Sequence, residues 1–255
     1  MIDIKLTELK MLTARWAESA MGLSIDKEGQ EFPEWNCLAA YMESVAPEWP
    51  HSLSHPTEMR ALDWIVRQLP PGSRVLEVGS FMGVSAAVMA HANPQVSVQS
   101  IDVFSKWNNS TEIQKSYLRL WQPQVDRFLG EGAIRSREAC AERLAHYPNL
   151  QLIEGASPHE FQDTEITDID LYFEDANHDN PGLASNLDFW CKRVKSGGLV
   201  LLHDYRPWLP RSYDRPPRNI HPTRMPDVVT EVFKLIGKGY DLLGSVSSLA
   251  ILRKP

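Results

Sequence analysis

From residue 74 onward, short strand-like segments alternate with helical ones, and this alternation restricts the fold more than any other feature of the sequence. The segments RVLEVG, VSVQSIDVF, NLQLIEGAS, DIDLYFEDA and LVLLHDY have the apolar or alternating character of strands, with helical segments such as SAAVMAHA and GLASNLDFWCKRV between them. Strands that alternate with helices form βαβ units, which build a parallel sheet covered on both faces. We therefore predict a Rossmann-like α/β domain with helices on both faces of its sheet.

The two ends of the chain differ from this central pattern. Near the C-terminus, YDLLGSV and SSLAILRKP are two strand-like segments whose connection is too short for a parallel crossover. The last strand must therefore run antiparallel in an otherwise mostly parallel sheet of seven strands. Upstream, HPTEMRALDWIVRQL predicts a helix ended by Pro70 and Pro71, and GLASNLDFWCKRV predicts one ended by the sequence SGG. We divide the chain into extra N-terminal helices (1–55) and a main domain (56–255).

Composition excludes several classes of function. The net charge of −7 repels phosphate backbones, which argues against nucleic acid as a partner. The three cysteines (Cys37, Cys140 and Cys191) show neither CxxC pairs nor zinc-site spacing, which is typical of reduced thiols in a cytoplasm. No apolar run approaches the roughly 20 residues of a membrane span, and the N-terminus has no signal core. We expect a cytoplasmic protein that binds no membrane.

A glycine turn follows the first strand of the alternating region. It reads Glu77-Val78-Gly79-Ser80-Phe81-Met82-Gly83 and leads into a helix, which is typical of a turn that holds a nucleotide. The dinucleotide fingerprint GxGxxG is absent, because Phe81 and Val84 stand where the second and third glycines are needed. A Walker GK[ST] sequence is absent as well. The turn suits a nucleoside without phosphates, such as S-adenosylmethionine (SAM), with Glu77, Gly79, Ser80, Phe81 and Gly83 as candidate contacts.

Two further strand ends support a nucleoside site. Asp102 ends the second strand, 23 residues after Gly79, where a carboxylate can accept both ribose hydroxyls. Gly155, Ala156 and Ser157 follow the third strand and are expected beside the adenine. An NAD-linked oxidoreductase is the alternative on the same kind of sheet, and the bulk of Phe81 argues against it.

The strand DIDLYF is followed by EDANHD, which holds three carboxylates, an amide and an imidazole within residues 174–179. Together with EVGSFMG, SIDVF, LIEGAS, the segment LYFEDANHDNPGLASNLDFWCKRVKSGG and LVLLHDY, these residues resemble the class I SAM-dependent methyltransferases. Within that class the chain is most similar to the group of macrocin-type O-methyltransferases and cephalosporin-hydroxylase-like proteins. The resemblance covers about residues 73–255, and the run from DANH to HDY is its most specific part.

The resemblance implies a divalent cation, which we expect to be Mg²⁺, where two neighbouring strands end. Asp175 and Asp204 match the family's metal-binding aspartates, and His203 is a candidate third ligand. His178 matches a family histidine that takes the proton of the acceptor hydroxyl, while Asp175 is also expected to face the reacting methyl group of the cofactor. Asn177 stands where related proteins often have a second acid.

Our first hypothesis is therefore an O-methyltransferase that uses SAM, and Mg²⁺ with it, to methylate a hydroxyl of a sugar or natural product. The second is a SAM-binding protein of the same fold that has lost catalysis, which Asn177 favours. The loop at 206–224, rich in arginine and proline and containing Trp208 and Tyr213, is predicted either to overhang the acceptor site or to be a solvated or oligomer contact. The N-terminal helices are predicted either to line the acceptor pocket or to contact a second copy of the chain.

Overall fold

The computed structural model describes residues 45–104, 112–176, 178–207 and 226–255. The predicted N-terminal helices, Asn177, and the arginine-rich loop from residue 208 lie outside the described residues. Of the predicted appendage, residues 45–55 are described, and they contain a short 3₁₀ turn at Trp49–His51. Val45 and Ala46 are buried in the core of the main domain. The predicted division at residue 55 stays a prediction.

In the described part of the chain, seven strands form one sheet with the spatial order β3-β2-β1-β4-β5-β7-β6. The strands are β1 (Arg74–Val78), β2 (Ser97–Asp102), β3 (Leu150–Glu154), β4 (Ile169–Glu174), β5 (Val194–Leu202), β6 (Asp241–Val246) and β7 (Leu249–Arg253). Strands β1 to β5 pair in parallel, and β7 runs antiparallel to both β5 and β6. The predicted sheet is confirmed, including its antiparallel last strand, because only Ser247 and Ser248 separate β6 from β7.

Helices cover both faces of this sheet. The described α-helices are α1 (Pro56–Arg67), α2 (Val84–Ala92), α3 (Glu112–Leu129), α4 (Arg137–Arg143), α5 (Gly182–Trp190) and α6 (Pro226–Gly237). Alternate strand residues point to opposite faces, so Leu171 belongs to the core under α1 and α2, whereas Tyr172 belongs to the core under α5 and α6. None of the described helices combines the length and the apolar character that a membrane crossing needs.

Helix α1 forms where the sequence predicts it. Its apolar face, formed by Met59, Leu62, Ile65 and Val66, is completely buried. At its N-terminus the Glu58 side chain accepts a hydrogen bond from the His55 backbone N–H at 3.0 Å, while the His55 ring accepts one from Thr57 N. This reciprocal cap satisfies backbone donors of the first turn and fixes Glu58 close to the end of β5.

The predicted end of α5 is wrong. The helix ends at Trp190, and the SGG sequence lies inside β5, which begins at Val194. Gly197 N donates to Lys254 O at 3.0 Å, and Lys254 N donates to Gly198 O at 2.9 Å, so the backbone bonds of the glycines go to the chain end instead of capping a helix. Gly197 has φ +75°, which glycine adopts without strain, and the β4–β5 register shifts nearby.

Candidate active site

The predicted site residues follow the carboxyl ends of neighbouring parallel strands and lie in a row. The first residue after a strand donates its backbone N–H to the end of the adjacent strand at each of four places: Gly79 to Ile101, Asp175 to Val78, His203 to Glu174, and Gly155 to Asp102. Ligands of open parallel sheets bind at this edge. The parallel ladder therefore extends into the loops and brings segments that are distant in sequence to one edge of the sheet.

The glycine turn contacts the end of β4 directly. Gly79 has φ +106°, and a Cβ atom on it would lie 2.4 Å from the backbone carbonyl carbon of Asp175. At the other end of the turn, Gly83 has φ +82° and directly precedes α2, and a Cβ there would lie 2.8 Å from a side-chain carbon of Leu144. The backbone of Asp175 leaves no room for a side chain at Gly79, whereas Gly83 is favoured by its positive φ. The turn is therefore packed against the backbone of the predicted acidic site.

Glu77 and Ser80 fix the glycine turn through a buried network of hydrogen bonds. The Glu77 side chain is fully buried and accepts hydrogen bonds from the hydroxyls of Ser85 and Ser100, and the Ser100 hydroxyl also contacts that of Ser80. Burial raises the pKa of Glu77 to about 8, although the two serine hydroxyls act against this shift. These contacts give both side chains a structural role, and their direct contact with a cofactor stays a prediction.

Asp102 accepts three hydrogen bonds from within the chain. Its Oδ2 atom accepts from Phe81 N at 2.8 Å, and its Oδ1 atom accepts from Phe104 N at 2.8 Å and from Arg135 Nη1 at 2.9 Å. The sequence did not indicate Arg135, which lies 33 residues from Asp102 and has no motif around it. The carboxylate is therefore joined to the glycine turn, to the end of β2 and to a buried cation.

The segment after β3 packs tightly against α5. Gly155 has no room for a side chain, since a Cβ would lie 2.6 Å from the ring of Phe161. The Ser157 hydroxyl donates to Asn186 Oδ1 at 2.9 Å and accepts from Trp190 Nε1 at 2.8 Å. Ser157 thus fixes this loop to α5, and the predicted contacts of Gly155, Ala156 and Ser157 with an adenine ring stay predictions.

The structure brings together the four residues predicted for metal binding and catalysis. His178 Nε2 lies 3.5 Å from Asp175 Oδ1 and 3.6 Å from Asp204 Oδ2. His203 Nδ1 lies 2.8 Å from Asp175 Oδ1. Potential ligand atoms of Asp175, His178 and His203 all lie within 4.8 Å of one another. Asp204 has φ +61°, a strained conformation for a residue other than glycine and typical of functional sites.

Three buried polar atoms of this cluster lack a well-directed hydrogen bond among the described residues: His178 Nε2, His203 Nδ1 and Asp204 Oδ1. Charged atoms nevertheless lie close to each of them, including Arg206 Nη2 at 2.6 Å from Asp204 Oδ1. Burial alone would raise the pKa of Asp175, but the charge of His203 and the contacts with His178 outweigh it and lower this pKa to about 2. Contacts between groups of opposite charge therefore contribute to holding the cluster together.

Glu58 is a site residue that the sequence did not reveal. It is buried in α1, and its Oε2 atom lies 3.0 Å from His203 Nε2 while Oε1 accepts from the backbone and side chain of Ser248. Burial lowers the pKa of His203, but the charge of Asp175 and the contact with Glu58 outweigh it, so this pKa lies well above its usual value. The two carboxylates at 2.8 and 3.0 Å from its ring nitrogens therefore favour the imidazolium form of His203.

The pKa of His178 is raised as well, but less than that of His203. Burial lowers its pKa, whereas its contacts with Asp175 and the charge of Asp204 outweigh burial and raise the pKa overall. Its imidazole is therefore more readily protonated than a free one. Its predicted role as the catalytic base stays a prediction, and so do the metal-binding roles of Asp175, Asp204 and His203.

The residues of this site fall within one recognised sequence family. A family model described as a methyltransferase domain matches residues 76–205, about half of the chain. The chain belongs to this methyltransferase family. The match includes the glycine turn, Asp102 and the cluster around Asp175, and it confirms the predicted class I SAM-dependent methyltransferase. The likeness of this methyltransferase to the macrocin-type group stays a prediction. No curated protein sequence matches it significantly.

Solved structures share the fold of this methyltransferase at low sequence identity. They include a proposed O-methyltransferase from Klebsiella pneumoniae, with 14% identity, a TM-score of 0.52, and coverage of 95% of this chain and 99% of the other. A proposed caffeoyl-CoA O-methyltransferase from Staphylococcus aureus has 15% identity, a TM-score of 0.51 and coverage of 99% and 100%. The O-methyltransferase TomG from Streptomyces achromogenes, in complex with SAM, has 17% identity, a TM-score of 0.51 and coverage of 95% and 99%.

Proposed function

We propose that this methyltransferase transfers the methyl group of SAM to a hydroxyl oxygen of a small molecule, a sugar or a natural product, with the help of a divalent cation. The observation that carries the proposal is the contact between the glycine turn and the acidic cluster, where a Cβ on Gly79 would lie 2.4 Å from the backbone of Asp175. Similar solved structures named as O-methyltransferases support an oxygen acceptor.

The side chains of the cluster fit a divalent cation. Asp175 and Asp204 offer two carboxylates, which His178 Nε2 approaches to 3.5 and 3.6 Å, and the buried Oδ1 of Asp204 lacks a well-directed hydrogen bond within the described residues. Carboxylate oxygens suit Mg²⁺ and Mn²⁺. When bound, the cation would supply positive charge that lowers the pKa of the acceptor hydroxyl.

His203 is better suited to positioning than to ligation. Its two ring nitrogens face Asp175 and Glu58 at 2.8 and 3.0 Å, and an imidazolium ion has no lone pair for a metal. It holds Asp175 from the side of α1, while the guanidinium of Arg206 holds Asp204 from the following loop. Both aspartates raise the pKa of His178, so any loss of their negative charge would return His178 toward the neutral imidazole that a base requires.

When bound, SAM would supply an electrophilic methyl group on its sulfonium. The protein's own part is to hold the cofactor at the turn and the acceptor oxygen beside Asp175, since orienting two reactants accounts for much of the rate in such transfers. Gly79 leaves the turn free of a side chain that would overlap the backbone of Asp175 and Ala176. No residue of the described part needs to form a covalent intermediate.

A methyl-transfer assay tests the proposal. Radiolabelled SAM is incubated with a panel of polyols, sugars and catechols, with EDTA, and with EDTA followed by excess Mg²⁺ or Mn²⁺. We expect transfer to at least one hydroxyl compound, its loss with EDTA and its return with metal. Transfer that EDTA leaves unchanged would remove the cation from the proposal. If the protein binds SAM in calorimetry but methylates nothing, the binding protein without catalysis is favoured instead.

Two variants distinguish the loss of a carboxylate in the cluster from the loss of a carboxylate elsewhere on the protein. Asp175→Asn should lower methyl transfer by roughly 100-fold or more, because it removes a ligand and the partner of both histidines. Asp188→Asn, which removes an exposed carboxylate that pairs with Lys238, serves as the control and should keep full activity. An Asp175→Asn protein with normal activity would exclude this cluster as the reaction site.

A further inference from the structure

Arg135 connects the two loops that flank the expected ribose position. Its Nη1 atom donates to Phe81 O at 2.8 Å and to Asp102 Oδ1 at 2.9 Å, and its Nη2 atom donates to Phe104 O at 2.9 Å. The guanidinium also lies over the rings of Phe81 and Phe104, at 5.1 and 5.6 Å from their centres. One side chain thus bonds the glycine turn and the end of β2 simultaneously.

The two phenylalanines share an unusual backbone. Phe81 has φ +50° and Phe104 has φ +36°, a region that bulky residues rarely occupy. In both, the backbone N–H donates to Asp102 and the backbone carbonyl accepts from Arg135. Such conformations persist only when their surroundings determine them fully. The Asp102–Arg135 ion pair supplies these surroundings, so it fixes the shape of both loops.

Arg135 is itself held firmly. Only 2% of its side chain is exposed, against 11% for Asp102. The next residue, Ser136, caps α4 by accepting a bond from Ala139 N, and the backbone carbonyl of Ala133, two residues before Arg135, accepts from Gln122 of α3 at 3.1 Å. The backbone is held on both sides of Arg135, which favours an Arg135 that keeps its place when a ligand binds.

This arrangement limits what Asp102 can accept. An ionised carboxylate has about four acceptor positions, two on each oxygen. Oδ1 uses both of its positions, for Phe104 N and Arg135 Nη1, and Oδ2 uses one, for Phe81 N. A single acceptor position is left on Oδ2, whereas the two ribose hydroxyls predicted for Asp102 would need two.

We propose that Arg135 is a positioning residue of the cofactor site, which shapes the ribose-binding loops and restricts Asp102 to one ribose hydroxyl. The inference rests on the proposed cofactor site and deepens it. The second hydroxyl is then left to another group or to water. The rule that an acidic residue after the second strand binds both hydroxyls is modified in this chain by a residue from the loop between α3 and α4.

The wild-type protein provides the first test. Calorimetry compares the dissociation constants of S-adenosylhomocysteine and of its 2′-deoxy and 3′-deoxy analogues. A hydrogen bond to a charged group is lost in only one analogue, so we expect one to bind roughly 10- to 100-fold more weakly and the other to change by less than about threefold. Equal losses for both analogues, or no loss for either, would overturn the proposal.

The outcome also separates this inference from the proposed function. A protein that binds no S-adenosylhomocysteine at all contradicts the cofactor site itself, and the inference falls with it. Binding with equal losses for both analogues leaves the cofactor site intact and removes only the restriction by Arg135.

Arg135→Lys gives a readout that a merely structural role would not change. Lysine lacks the planar fork of donors with which arginine reaches three acceptors. An acceptor position on Oδ1 of Asp102 therefore becomes available, and the difference between the dissociation constants of the 2′-deoxy and 3′-deoxy analogues should shrink. A general weakening of the fold would weaken all three ligands equally and keep that difference. Arg193→Lys is the matched control. Arg193 also lies over an aromatic ring, that of Phe189, and donates to the backbone carbonyl of Phe189, which is remote from the glycine turn. It should leave all three constants unchanged. An unchanged difference in Arg135→Lys would contradict the proposal, and the wild-type series alone decides it if this variant does not fold.

Discussion

Replacing Gly79 by alanine tests the contact between the glycine turn and the acidic site. Gly79 has φ +106°, and the new Cβ would lie 2.4 Å from both the carbonyl carbon and the carbonyl oxygen of Asp175 and 2.5 Å from Ala176 N. All three atoms belong to the backbone, so no side-chain rotation relieves the overlap. The backbone at the end of β4 must move away, and Asp175 moves with it.

The structure supplies a control that isolates this overlap. Gly130 has φ +109°, nearly the same as Gly79, but a Cβ on it would meet nothing within 4 Å. Gly130→Ala therefore carries only the backbone strain, about 1–2 kcal/mol. Gly79→Ala adds the cost of overpacking, about 1–3 kcal/mol, so its total is about 2–5 kcal/mol. Since 1 kcal/mol shifts Tm by about 2–4 °C in a chain of this size, Gly79→Ala should lower Tm by roughly 4–20 °C.

The assay is urea unfolding of both variants followed by circular dichroism, together with calorimetry with S-adenosylhomocysteine. We expect Gly79→Ala to be less stable than Gly130→Ala by more than about 1 kcal/mol and to lose ligand binding. Gly130→Ala should retain binding. If the two variants are equally destabilised, the close approach of the turn to Asp175 does not exist in solution, and the geometric basis of the proposed function is wrong.

The remaining predictions concern buried ionisable groups. Glu77 has a raised pKa of about 8, so its contribution to stability is present below its unfolded pKa near 4.5 and is lost as the pH rises toward 8. Relative to the wild type, the free energy of unfolding of Glu77→Gln should therefore be higher at pH 8 than at pH 5 by more than about 1 kcal/mol, measured by urea unfolding at both pH values. A difference between the two proteins that stays constant with pH would contradict this. Burial raises the pKa of Glu58, but the hydrogen bond to His203, the charge of His203 and the hydrogen bonds from Ser248 together outweigh burial and lower this pKa to about 2. Glu58→Gln should cost about 3 kcal/mol at pH 7, with the loss shrinking as the pH falls from 4.5 toward 2; a loss that does not depend on pH would argue against an ionised pair. Burial raises the pKa of Cys140 and of Cys191 to about 12, so iodoacetamide at pH 8 should label neither until the protein unfolds, as mass spectrometry of peptides would show; rapid labelling of either in the native protein would contradict its burial.

The fold was largely predictable because its determinants are local and repeated. Alternation of strand-like and helical segments predicted the parallel sheet, and the short connection around Ser247 predicted the antiparallel last strand, which the structure confirms. The prediction failed at the end of α5, where SGG resembles a helix stop but lies in β5. The backbone groups of those glycines pair with Lys254, far along the chain, and a local pattern holds no information about such a partner.

The candidate site was likewise predictable from the sequence only in part. The sequence determined which residues lie at the carboxyl ends of the parallel strands. Because parallel strands all end at the same edge of the sheet, Gly79, Asp102, Asp175 and Asp204 lie at that edge. Tertiary structure alone decided what surrounds them. Glu58 meets His203 across 145 residues, and Arg135 meets Asp102 across 33. Such contacts depend on how helices dock on the sheet, because the charge of a buried group is set by whatever neighbours the packing of distant segments provides.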